Sequence, residues 1–282
     1  MQAEPTKFGK TWPGRSPQDV VRTTSGRTMK RLYSGDVTGG GRGPTPFPPL
    51  ELMEDPAPAD WVVERLRSWR GGALRVGAVV PDGYPAYARL LHPAYRDDRE
   101  GPVRWAEIAA ERGLELGAET RFNDVVGWVP ARDGEDPPEP YGAPHRGSLT
   151  KDQCALVAEV LAGFTASPEL CWFCLWEGYG WPELDQFRGW PPRVKVPHRD
   201  CILFRGPVSA ATAFRSPPWS QSPTLWWPDD RAWCVASDLD FYSTYIAGSV
   251  QAVQALLSQP ALEALATKAE HRVDPSPFPP RD

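Results

Sequence analysis

The chain has 282 residues, with 31 basic and 36 acidic side chains, 41% hydrophobic and 11% aromatic residues, enough apolar surface to offset the entropy of ordering a large domain. It has no run of about eighteen apolar residues, and its N-terminus, MQAEPTKFGKTWPGRSPQDV, lacks the apolar stretch of a secretory signal, which points to the cytoplasm and away from the membrane. Five cysteines at irregular spacing, Cys154, Cys171, Cys174, Cys201 and Cys234, fall mostly in apolar segments, the pattern of reduced core thiols rather than of a disulfide framework.

Usage is skewed toward 33 Pro, 25 Gly and 13 Trp, against three Ile (Ile108, Ile202, Ile246) and one Asn (Asn123). That pattern fits a GC-rich genome, so part of the Arg, Pro and Trp excess reflects codon usage and not function. Residues 1–52 hold eight basic and four acidic residues, and the remaining 230 hold 23 and 32, so a basic arm precedes an acidic body. The arm has no apolar periodicity and includes GDVTGGGRGPTPFPP, which predicts a disordered extension over 1–55. Met1, Met29 and Met53 are the only methionines, which leaves the translation start open between Met1 and a site nearer Met53. A single α+β domain is expected over 56–270, and a disordered tail over 271–282.

In chain order, DWVVERLRSW spaces Trp61, Val62, Leu66 and Trp69 as a helix that Gly71-Gly72 ends. ALRVGAVV reads as a strand, PDGY as a turn and PAYARLLHP as a second strand, a hairpin. VRWAEIAAERG is helical with Trp105, Ile108 and Ala109 on one face, but no basic recognition helix follows it, which disfavours a helix-turn-helix. Residues 130–147 form a Pro- and Gly-rich loop. LTKDQCALVAEVLAGFT is the best amphipathic helix, capped by Thr150 or Ser148, with Leu149, Cys154, Leu156, Val157, Val160, Leu161 and Phe164 as its apolar set. Strands are predicted over 170–178, 200–207, 231–240 and 243–249, followed by the helix VQAVQALLSQ and by LEALATKA. The order predicts the α+β class, a mainly antiparallel sheet with helices packed on one side.

Few residues carry a chemical signal. Cys171 and Cys174 form a C-x-x-C inside a strand, where period-two alternation points them apart, and no second ligand pair completes a metal site. Asp238 and Asp240 place two carboxylates on one face of a strand end, where such pairs hold Mg²⁺ or share a proton; His198 joins them as a catalytic candidate, and Arg231 and Thr244 flank them. The tryptophans cluster, and Trp181, Trp219, Trp226 and Trp227 fall in Pro- and Gly-rich stretches, where rings can line a groove for a ligand. No nucleophile elbow, phosphate loop, dinucleotide fingerprint or zincin motif is found, so the sequence calls for no cofactor and no metal.

Taken together, YPAYARLLHPAY, VRWAEIAAERG, CWFCLWEGYGW, CILFRGP and WWPDDRAWCVASDLDFYSTYIAGS resemble a family of actinobacterial hypothetical proteins with no assigned activity. The resemblance covers about Asp60 to Leu265 and implies one continuous domain; it implies no substrate, cofactor or site residue. The expectation that results is a non-enzymatic binding or regulatory domain that recognises a protein or small ligand through its loop tryptophans, with Arg231 and Thr244 beside them. The alternative is a metal-assisted hydrolase built on Asp238 and Asp240 with His198. The acidic body argues against nucleic acid as the partner.

Overall fold

The computed structural model describes residues 45–68, 74–129, 137–197, 199–216 and 219–273. The basic arm before residue 45, the tail after Val273, Trp69, Gly71-Gly72 and His198 lie outside the described residues. The elements in order are β1 (Glu51–Leu52), α1 (Asp60–Arg65), β2 (Ala86–Leu91), β3 (Tyr95–Arg96), α2 (Trp105–Glu111), α3 (Phe122–Val126), β4 (Tyr141–Gly142), α4 (Lys151–Ala162), β5 (Cys171–Trp176) and β6 (Val194–Val196). They continue with β7 (Arg199–Gly206), β8 (Arg215–Ser216), β9 (Trp219–Ser220), β10 (Leu225–Pro228), β11 (Trp233–Ser237), β12 (Ser243–Gly248), α5 (Val250–Leu257) and β13 (Ala264–Thr267).

Nine strands form one antiparallel sheet in the order β1-β7-β5-β10-β11-β12-β2-β13, with β6 also paired to β7. Alternation along each strand sends side chains to two faces. Cys171, Phe173 and Leu175 of β5 face one core together with Trp226, Trp233 and Ile246, and that face is covered by Val157 and Leu161 of α4 and Val253 and Leu256 of α5. The two longest helices, α4 and α5, thus pack on one side, as the pattern predicts, whereas α1 lies on the other face and α2 and α3 at the end of β2, which corrects the expectation for those three. The opposite face buries Trp172, Cys174, Trp227, Cys234 and Tyr245 beneath Trp61 and Val62 of the short α1 and beneath Val76 and Val80. A third cluster packs Trp105 and Ile108 of α2 and Phe122 and Val125 of α3 beside Leu91, at the end of β2. Each of these large side chains contributes about 1.5–3 kcal/mol by leaving water.

Helix α4 begins where the sequence places it. The Thr150 hydroxyl accepts from the Gln153 amide at 3.2 Å and the Gln153 side chain accepts from the Thr150 amide at 3.2 Å, so two N-terminal donors are satisfied reciprocally.

Several expectations are corrected. The folded chain exceeds the boundaries at 55 and 271: Phe47 and Leu50 are buried in the first core, β1 pairs with β7, and Val273 is buried in the second core. ALRVGAVV is not a strand; Val76–Ala78 is a 3₁₀ turn whose Val76 and Gly77 amides donate to the carbonyls of His271 and Ala269. The predicted hairpin is therefore absent, and β2 pairs instead with β12 and β13. LWWP, read as loop, is the strand β10, held between β5 and β11. Pro228 is its last residue, and the following Asp229 amide still donates to the Leu170 carbonyl at 2.9 Å.

Candidate functional site

The carboxyl end of β11 leads directly into Asp238, and the amino end of β7 supplies Arg199. The Arg199 Nη2 donates to Asp238 Oδ1 at 2.9 Å and to Asp240 Oδ2 at 3.0 Å, so one guanidinium bridges both carboxylates. Arg199 also lies over the Trp176 ring, 5.6 Å from its centroid. Asp238 Oδ1 accepts in addition from the Asp240 amide at 3.1 Å, which folds the turn back on itself. The Arg199 and Asp238 side chains are only 11% and 9% exposed, whereas Asp240 is 52% exposed. Burial lifts the Asp238 carboxyl above the ordinary aspartate range, with the Arg199 charge and the Asp240 amide opposing it.

This pair forms the floor of a half-open cleft with Ser237 and Thr224; Leu66, Val79, Val196 and Leu225 form its apolar walls. The interior that can hold water-sized groups is about 30 Å³, room for a water or the end of a side chain but far below the few hundred Å³ of an enclosed metabolite site. Tyr179 lies edge-on to Trp176, with ring centroids 5.2 Å apart, and stacks on Trp181 at 5.6 Å, which fixes the ring that carries Arg199.

Behind the cleft floor runs a sealed polar chain. The His92 Nδ1 is 2.7 Å from the His145 carbonyl, and Nε2 is 2.9 Å from Thr244 Oγ1. A carbonyl only accepts, so Nδ1 carries the proton and the Thr244 hydroxyl donates to Nε2. Thr244 then accepts from Ser237 Oγ at 2.6 Å. Burial pulls the His92 imidazole down to about 3, so it stays neutral. Next to it on β2, Arg89 is fully buried, with Nε donating to Ser243 Oγ at 2.9 Å and Nη1 to the carbonyls of Ala118 at 3.1 Å and Thr120 at 2.7 Å.

Of the residues singled out from sequence, Asp238 and Asp240 do converge, but on Arg199, whose guanidinium occupies the point between them where a cation would sit. His198 lies outside the described residues. Thr244 is fully buried in the histidine chain and offers no surface to a ligand. Trp181, Trp226 and Trp227 are 3%, 0% and 1% exposed. These three rings are core components and not a ligand groove, because β10 brings both of its tryptophans into the sheet. Trp219 lies in β9, paired with β8, and its side chain is outside the described ones. Arg231 is exposed in the turn between β10 and β11, at the opposite end of β11 from Asp238. At about 3.3 Å per strand residue the two cannot share a ligand of ordinary size. Sequence reasoning passed over Arg199; its signal was a charged residue at the start of a strand whose centre, Cys201 to Phe204, is apolar.

Cys171 and Cys174 face the two different cores, as alternation requires. The five cysteines are all free and buried, and burial raises the thiols of Cys154, Cys171 and Cys201 to about 12, far from thiolate chemistry. Among the described residues no group of three or more His, Cys, Asp and Glu side chains is arranged to hold a metal ion, and no helix is long and apolar enough to cross a membrane. No protein-family model, no curated protein and no solved structure matches the chain.

Proposed function

We propose that this chain is a non-catalytic binding domain that takes a basic side chain of a protein partner into the cleft at the Asp238 end of β11. The observation that carries this reading is the composition of the cleft itself: apolar walls beside the Arg199–Asp238 pair, with the half-exposed Asp240 bonded to the same guanidinium and leaving one carboxylate in excess beside the lining. Lys and Arg side chains have this complementary form, an apolar stem ending in a cation. The stem would lie along Leu66, Val79 and Val196, and the cation would reach the half-exposed Asp240. The size of the cleft favours a projecting side chain over a free metabolite. Among the described residues the polar groups around it also favour binding over catalysis, since the His92 imidazole behind the cleft stays neutral in the core and the thiols of Cys154, Cys171 and Cys201 are held protonated.

The test is a titration with Gly-Arg-Gly and Gly-Glu-Gly peptides, followed by amide shifts in ¹⁵N-labelled protein. The expected result is saturable shifts at Leu66, Val196, Leu225 and Ser237 with the basic peptide only, weakened in Asp240→Asn and abolished in Val196→Trp, which fills the cleft. Equal response to the acidic peptide, or shifts spread over the surface and indifferent to Val196→Trp, would remove the reading.

A further inference from the structure

The turn that links β10 to β11 carries a feature that the cleft does not use. Arg231 has φ 56°, and it is the residue other than glycine with positive φ among the described ones. A side chain in this left-handed region costs about 1 kcal/mol or more relative to glycine, which adopts it freely. Residues held this way cluster at ligand clamps and other functional sites. The Arg231 amide donates to the Pro228 carbonyl at 2.8 Å, and its carbonyl accepts from the Tyr84 hydroxyl at 2.8 Å. The backbone is thus pinned, and the side chain has a fixed origin.

From that origin the guanidinium carbon lies 5.2 Å from the centroid of the Trp61 ring, and the guanidinium carbon of Arg65 lies over the same ring at 5.8 Å. One indole therefore gathers two cations. Both arginines are exposed, and neither meets a carboxylate within ion-pair distance among the described residues. The two acidic neighbours of Arg231 face elsewhere: Asp229 accepts from Trp172 Nε1 at 3.0 Å, and Asp230 accepts from the Thr165 hydroxyl at 2.8 Å and the Ala166 amide at 2.7 Å. Two exposed guanidinium groups over one ring, with no described carboxylate at ion-pair distance, are open to an anion from outside the chain.

We propose that Trp61, Arg65 and Arg231 form a binding site for a phosphate monoester. Two cations match a dianion, which a single carboxylate does not supply, and guanidinium forks pair with phosphate oxygens through parallel hydrogen bonds. The Trp61 ring lies against both cations, and Tyr84 braces the turn. The site lies at the opposite end of β11 from the cleft, so it stands or falls independently of the basic-side-chain reading.

The experiment titrates the full chain with inorganic phosphate at constant ionic strength and follows the arginine Nε–H and Trp61 indole N–H resonances. Parallel arms use acetate, glycerol phosphate and a phosphoserine peptide. The expected result is saturable binding of phosphate with Kd of about 1 mM or tighter, at least about tenfold weaker in Arg65→Gln and in Arg231→Gly. Arg231→Gly relieves the positive φ, so the fold persists and thermal stability is kept or raised while binding is lost. The arm that binds more tightly than inorganic phosphate identifies the source of the group as a small molecule or a modified protein. Acetate binding as well as phosphate would overturn the assignment to a dianion. A linear, unsaturable response to phosphate, or loss of stability in Arg231→Gly with no change in binding, would reduce the cluster to a packing device.

Discussion

Arg89 and Arg199 are both drawn into the interior beside the same sheet, and they are held in opposite ways. Arg89 is sealed: a hydroxyl and two backbone carbonyls receive its donors, and the Trp105 ring lies 5.5 Å beneath its guanidinium. Arg199 meets two carboxylates at the mouth of a cleft, and one of those carboxylates is half exposed. The first arrangement fixes structure, because the described acceptors, the Ser243 hydroxyl and the Ala118 and Thr120 carbonyls, belong to chain segments that must stay in place. The second leaves an ionic group with a solvated side, and a solvated side is where a partner can compete. The difference shows that burial of a charge is not by itself a sign of function. What matters is whether its neighbours can be exchanged.

This contrast is broken or sharpened most strongly by Arg89→Leu. Removing the guanidinium leaves the Ala118 and Thr120 carbonyls and the Ser243 hydroxyl without their donor, and a loss of about 3–5 kcal/mol is expected from urea denaturation. Arg199→Leu should cost clearly less, since Asp240 keeps its water; equal losses for the two would erase the distinction drawn between them.

A second effect comes from His92, which adjoins Arg89 in the sealed region. Its imidazole is depressed to about 3 in the folded chain and rises to about 6.5 on unfolding, so the unfolded state binds the extra proton. Stability is then fully present above pH of about 6.5 and falls as the pH drops toward the folded value, by about 3 kcal/mol between pH 6.5 and 4. Asp238 acts with the opposite sign, since its raised carboxyl takes up a proton sooner in the folded state. Denaturation curves recorded at several pH values should show a steep slope for the native chain and a shallow one for His92→Gln. A slope that survives the substitution would assign it to another group.

The smallest effects belong to the cleft. Asp238→Asn should cost about 1–2 kcal/mol, because it weakens a nearly buried charge-assisted bond, while Asp240→Asn should cost less than about 1 kcal/mol, as exposed ion pairs do. Thermal melts of the two variants compare them directly, and the reverse order would place the structural anchor at the surface residue.

Much of the fold was legible in the residues. The cap at Thr150 and the apolar stripe of α4 are local: three or four residues suffice to specify each, and the strands β5, β7, β11 and β12 announce themselves by apolar runs with clear ends. The C-x-x-C could be dismissed for the same reason, since alternation alone sends Cys171 and Cys174 to different faces. The candidate site was legible only in part. Asp238 and Asp240 could be picked out as a pair, but the cation between them comes from β7, nearly forty residues earlier in the chain, and no local pattern announces it.

What remained was decided by pairing between distant segments. ALRVGAVV has the composition of a strand, yet its amides find the carbonyls of Ala269 and His271 before any neighbouring strand, and β2 finds β12 and β13. LWWP looks like a loop because proline and acidic residues crowd it, but a place was open between β5 and β11, and occupying it buried two tryptophans that in isolation suggest a ligand surface. Thr244 and Arg231, adjacent in the sequence argument to Asp238, were separated by the same sheet, one into the core and one to the far turn. The sequence by itself determined the helices α1, α2, α4 and α5, the strands β5, β7, β11 and β12 and which thiols stay apart, because those properties depend on neighbours within one or two turns of chain. Which arginine is sealed, which is open and which tryptophans are spent on packing depended on the order of strands in the sheet, and that order is set by contacts between residues far apart in the chain.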